Sequence, residues 1–147
     1  MRTVKSIFAA LFVASLIVAL AGCGAPPVTY AELPVHPEAL PLERGANTLA
    51  DTIADSLESS LAERGAVELK LYSVPDDVIW EEIDGFYSES LADSGWQAAD
   101  ELRQASEAIT TTGWTRGGLA SEQGLMVGYA PDMLGDGAFL IVALFSE

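Results

Sequence analysis

Seven consecutive apolar residues, Phe139-Leu140-Ile141-Val142-Ala143-Leu144-Phe145, constrain this chain more than any other feature. Side chains alternate across a strand, so an apolar group at every position puts apolar surface on both faces. Such a strand must be covered on both sides and belongs in the middle of a sheet. Two further strands are expected at about 110–116 and 124–130, the last one extending over 138–146. Their links, Gly117-Gly118 and Pro131-Asp132 through Gly135-Asp136-Gly137, carry turn chemistry. Val67-Glu68-Leu69-Lys70-Leu71-Tyr72 alternates strictly, as a strand with one buried face does.

Helical signals precede these strands. Thr48-Leu49-Ala50-Asp51 matches a capping box, and Leu49, Ile53, Leu57 and Leu61 recur every four residues behind it. Arg64 and Gly65 then supply a cationic last turn and a stop. Pro75-Asp76-Asp77 predicts the start of a second helix, with one aspartate capping its free amides. The stripe of this helix runs through Ile83, Phe86-Tyr87 and Leu91, and Gly95 ends it in a left-handed turn that folds Trp96 back on Leu91. Ala98, Leu102, Ala105 and Ile109 have the spacing of a shorter third helix. The expected architecture is an α+β, two-layer domain over 34–147: an antiparallel sheet of about four strands with two or three helices packed on one face.

The N-terminal end reads as an address. Met1–Lys5 carries two cations, Ile7–Leu20 is an uncharged apolar run, and Leu20-Ala21-Gly22-Cys23 follows. A positive start, a short apolar stretch and small residues before a cut site describe an export signal over 1–22. The apolar run spans about 21 Å as a helix, short of the roughly 30 Å hydrocarbon core of a bilayer. Five of the seven prolines lie between Pro26 and Pro41, and 23–33 is expected as a stiff, extended tether. Leu33–Ala39 is apolar enough to lie against the body, with His36 between two prolines as a surface histidine.

Leu20-Ala21-Gly22-Cys23 resembles the lipobox of bacterial lipoproteins. The resemblance implies that Cys23 becomes the acylated first residue of the mature protein, on the outer face of the cytoplasmic membrane or, in a cell with two membranes, on the outer membrane. The chain would then be anchored to a membrane without spanning it. Over about 34–97, the Pro-x-x-Pro-x-Ala segment and Phe-Tyr-x3-Leu-x3-Gly-Trp resemble small uncharacterised exported lipoproteins, which implies the same address and no activity.

After Cys23 the chain would hold five Lys/Arg against 22 Asp/Glu, a net charge of −17. Such a surface repels phosphate backbones, so no nucleic-acid partner is expected. Catalysis has little to work with: the single cysteine goes to lipid, no Gly-x-Ser-x-Gly turn exists, and Lys70 sits on the solvent face of a strand. Asp76, Asp77, Glu81, Glu82 and Asp84 cluster, as do Asp132 and Asp136, but neither group has the alternating spacing that wraps calcium. No enzyme activity, cofactor or metal is therefore expected. The reading that remains is a monomeric, lipid-anchored, exported binding module whose acidic residues Asp77, Glu81 and Glu82 contact an envelope protein with a basic surface. The alternative is a carrier or sensor of a small apolar ligand held between the sheet and the helix bearing Phe86 and Tyr87.

Overall fold

The computed structural model describes residues 26–118 and 121–146. Its centre is one antiparallel sheet of seven strands: β1 (Leu40–Leu42), β2 (Ala66–Val74), β3 (Gln97–Ala98), β4 (Gln104–Ala105), β5 (Thr110–Gly118), β6 (Ser121–Pro131) and β7 (Ala138–Ser146). The order is β1-β2-β7-β6-β5-β3, with β4 also pairing β5. The apolar run is thus the middle of the sheet, bonded to β2 from Ala138↔Val74 to Ser146↔Ala66 and to β6 on its other side.

Two helices cover this sheet, α1 (Thr48–Ala62) and α2 (Trp80–Leu91), and they lie on opposite faces. Ala50, Ala54 and Leu61 of α1 pack with Phe139, Ile141, Ala143 and Phe145. Ile83, Tyr87 and Leu91 of α2 pack with the alternate set, Leu140, Val142 and Leu144. Each large side chain buried this way contributes about 1.5–3 kcal/mol. The expectation of about four strands with two or three helices on one face is therefore corrected to a seven-stranded sheet with two helices, still α+β. The physical reason lies in β7 itself, since a strand apolar on both faces needs cover on both.

The expected third helix is absent from the described residues. Its stretch forms β3, a 3-10 turn at Asp100–Leu102, and β4, two short pieces that pair successively with β5. Ala98 and Ala105 are exposed, so the apparent stripe has little to bury, whereas the edge of β5 offers backbone groups that need partners. Leu102 reaches over Gly113, where a Cβ would come within 2.5 Å of the leucine.

Both helix starts also shift. The cap of α1 is Asn47, whose Oδ1 accepts from the N–H of Leu49 and Ala50, while Asp51 accepts from Gly45 N–H instead of closing a box with Thr48. Pro75–Asp77 forms a separate turn, Val78 N–H donating to Pro75 O, and α2 begins only at Trp80 with no side-chain cap. Gly95 does take a positive φ of 78°, with Trp96 buried beside Leu91.

Candidate functional site

The sheet register brings Asp77, Glu81 and Glu82, on which the contact reading turns, to the same end of the molecule as Asp76, Asp132 and Asp136. Ala138 of β7 faces Val74 of β2 on one side and Pro131 of β6 on the other, so the β2–α2 turn and the β6–β7 loop share one end of the molecule. Contacts tie them together. A Cβ on Gly137 would meet Val74 O at 2.5 Å and Asp76 N at 3.7 Å. Tyr129 donates its hydroxyl to Val78 O at 3.0 Å and lies 6.2 Å from the Trp80 ring. Burial, then the nearby charge of Glu81, holds the Tyr129 phenol above its ordinary pKa.

This end gathers Asp76, Asp77, Glu81, Glu82, Asp132 and Asp136. All but the half-buried Asp132 are exposed, and none pairs with a basic side chain among the described residues. Glu81 and Glu82 occupy the first turn of α2, where the helix dipole favours negative charge. Asp132 organises the loop: its Oδ1 accepts from Leu134 N–H, and its own N–H donates to Gly137 O. Among the described residues no three His, Cys, Asp or Glu side chains converge on a common cation position.

Phe86 and Tyr87 have another role in the structure. Tyr87 is completely buried between Phe86 and Trp114, and Phe86, half-buried, meets the edge of His36 at 5.1 Å. The space between α2 and the sheet is filled by Tyr72, Ile83, Tyr87, Trp114 and their neighbours. Neither the cleft between Leu33 and Trp96 nor the one between Pro41 and Tyr72 is lined by Phe86 or Tyr87. Burial raises the Tyr87 phenol pKa strongly, the His36 backbone nearby offsets this only in part, and the hydroxyl meets no partner at hydrogen-bond distance among the described residues. His36, expected at the surface, is buried against this helix, with Nδ1 accepting from Glu38 N–H at 3.3 Å.

At the opposite end the N-terminal segment joins the body. Gln123, a buried glutamine on β6, accepts from Val28 N–H at 2.7 Å and donates to Val28 O at 2.9 Å, so one amide side chain imitates a strand partner. Arg116 donates to Pro26 O at 3.2 Å, and Tyr30 and Leu33 are buried. Within the stretch expected as a stiff, extended tether over 23–33, Val28 and Tyr30 are held against the sheet. Sequence reasoning missed Gln123 because no pattern distinguishes it from a solvent-facing residue of an alternating strand. A cleft of about 630 Å³ opens here, lined by Leu33, Leu91, Trp96 and Arg116 together with Glu32 and Asp93. The Thr29 N–H and hydroxyl hold the exposed Glu32 carboxyl below its ordinary pKa. With two carboxylates and one guanidinium in its lining, this cleft has no net preference for anions.

Leu20, Ala21, Gly22 and Cys23 lie outside the described residues. No described helix is long and apolar enough to cross a membrane. Comparison with known proteins finds no matching family model, no similar curated protein and no matching solved structure.

Proposed function

We propose that this chain is an exported, lipid-anchored protein without catalytic activity, whose acidic end makes contacts with a basic surface of an envelope protein. The observation that carries the contact part is the gathering of Asp77, Glu81 and Glu82 with Asp76, Asp132 and Asp136 at one end, all exposed except the half-buried Asp132 and none paired with a basic side chain among the described residues. Like charges left together in this way repel one another, and a cationic partner relieves that repulsion. The filled core beneath α2 favours this reading over carriage of an apolar ligand.

The anchor reading rests on the lipobox. Cys23 and Pro26 are three residues apart, at most about 11 Å of extended chain. Gln123, which fixes Val28, and Pro131, beside the acidic loop, stand at opposite ends of β6, about 26 Å apart. A lipid on Cys23 would hold the near end at the membrane and present the acidic end away from it.

Two measurements test these parts separately. Cys23→Ser should abolish acyl labelling and leave an uncleaved precursor; normal maturation of that variant would contradict the anchor. Charge reversal at Asp77, Glu81 and Glu82 should abolish salt-sensitive capture of an envelope protein while leaving the fold intact by circular dichroism, with a small loss of stability from cations at the start of α2. Capture indifferent to both salt and these residues would contradict the contact.

A further inference from the structure

The acidic end also carries the most exposed large apolar side chains among the described residues. Leu134 is 90% exposed and Met133 78%, side by side at the tip of the β6–β7 loop, and Ile79 at the foot of α2 is 50% exposed. Isolated apolar residues at a surface need no explanation, but an adjacent pair this open on a structured loop does. The loop is stitched: Asp132 N–H donates to Gly137 O, and Leu134 N–H donates to Asp132 Oδ1. Gly137 has a φ of 104° and presses on the Val74 carbonyl, so the turn is fixed to β2. Met133 and Leu134 are held outward by this framework with nothing of the described chain over them.

We propose that Met133 and Leu134, with Ile79 at the same end of the molecule, are the apolar anchor of a docking surface for a basic amphipathic segment of another protein. This inference deepens the contact reading above and rests on it. Charge complementarity selects the occupant. Six carboxylates at the same end as the apolar tip repel anionic lipid headgroups and a second copy of this acidic chain, and attract a segment that pairs apolar side chains with Lys or Arg. The carboxylates steer and orient the partner, and the apolar pair supplies the desolvated centre from which most affinity comes.

The test uses the full chain in nanodiscs of zwitterionic lipid and a fluorescent amphipathic peptide of leucine and lysine, with an oligolysine of equal charge for comparison. Binding is followed by anisotropy against empty nanodiscs. The leucine–lysine peptide should bind more tightly than the oligolysine. Met133→Ser combined with Leu134→Ser should weaken it by about tenfold or more at unchanged net charge. Leu134→Ser alone should give an intermediate loss, and melting temperatures should stay at the wild-type value because both side chains are solvent-exposed. Serine variants that bind the peptide as the wild type does would overturn the apolar anchor. If charge reversal at Asp77, Glu81 and Glu82 still abolished binding in that case, the contact reading would stand without it. Displacement of the peptide by added zwitterionic vesicles would assign the tip to a lipid surface and overturn the proposal.

Discussion

Gln123 and Tyr87 show opposite treatments of a buried polar group. Gln123 satisfies both backbone groups of Val28, so Gln123→Ala removes two hydrogen bonds and leaves the N–H and C=O of Val28 without them. A loss of about 1–3 kcal/mol is expected, measured by denaturant unfolding. Tyr87 instead buries a hydroxyl with no partner at hydrogen-bond distance among the described residues, so Tyr87→Phe should be neutral or stabilising. A clear destabilisation would show that the hydroxyl is bonded in solution. Tyr30 donates to Val142 O, and burial raises its pKa as it does that of Tyr87. Both phenols keep their protons in the folded chain at pH values where the unfolded chain loses them, above the ordinary phenol value of 10.0. Their contribution is therefore fully present below about pH 10 and falls as the pH rises beyond it. Tyrosinate absorbance should appear together with loss of ellipticity, and ionisation of all tyrosines in a still-folded chain would contradict this.

Among the elements, β7 and the helices it demands explain which parts of the fold were legible. The apolar run from Phe139 to Phe145 predicts a central strand because every position is informative, and β5, β6 and β7 fall close to where turn chemistry places them. The same run implies cover on both faces, which conflicts with helices on one side, and the structure resolves the conflict in favour of the strand. The short strands β3 and β4 were hidden because Ala98, Leu102, Ala105 and Ile109 imitate a helical stripe, and that spacing encodes neither the pairing of β3 with the far end of β5 nor the tight β4–β5 hairpin. Exposed acids at the start of α2 were legible from the run after Pro75, whereas their meeting with the 132–136 loop depends on the register of β2, β7 and β6. Two substitutions probe this level. Asn47→Ala should cost about 1 kcal/mol by uncapping α1. Gly137→Ala should cost more, about 1–3 kcal/mol, since a positive φ and the Val74 carbonyl both oppose a Cβ. Equal, negligible effects at both sites would contradict the described loop packing.

For the molecule as a whole, polarity is the organising property. The N-terminal segment is fastened beside Gln123 at one end, and six carboxylates with two open apolar side chains occupy the other. Screening of so acidic a chain by millimolar calcium should raise the melting temperature slightly and without saturation. A saturable rise lost on mutating Asp132 and Asp136 together would reveal a cation site. The central claim is that the acidic end is a contact surface, and the salt dependence of affinity tests it most directly. The affinity of a purified envelope partner would be measured from low to physiological salt, for the wild-type chain and for the chain reversed at Asp77, Glu81 and Glu82. A steep weakening with salt for the wild type, and a flat, weak response for the reversed chain, is the predicted result. The same steep dependence in both chains would place the contact elsewhere on the molecule.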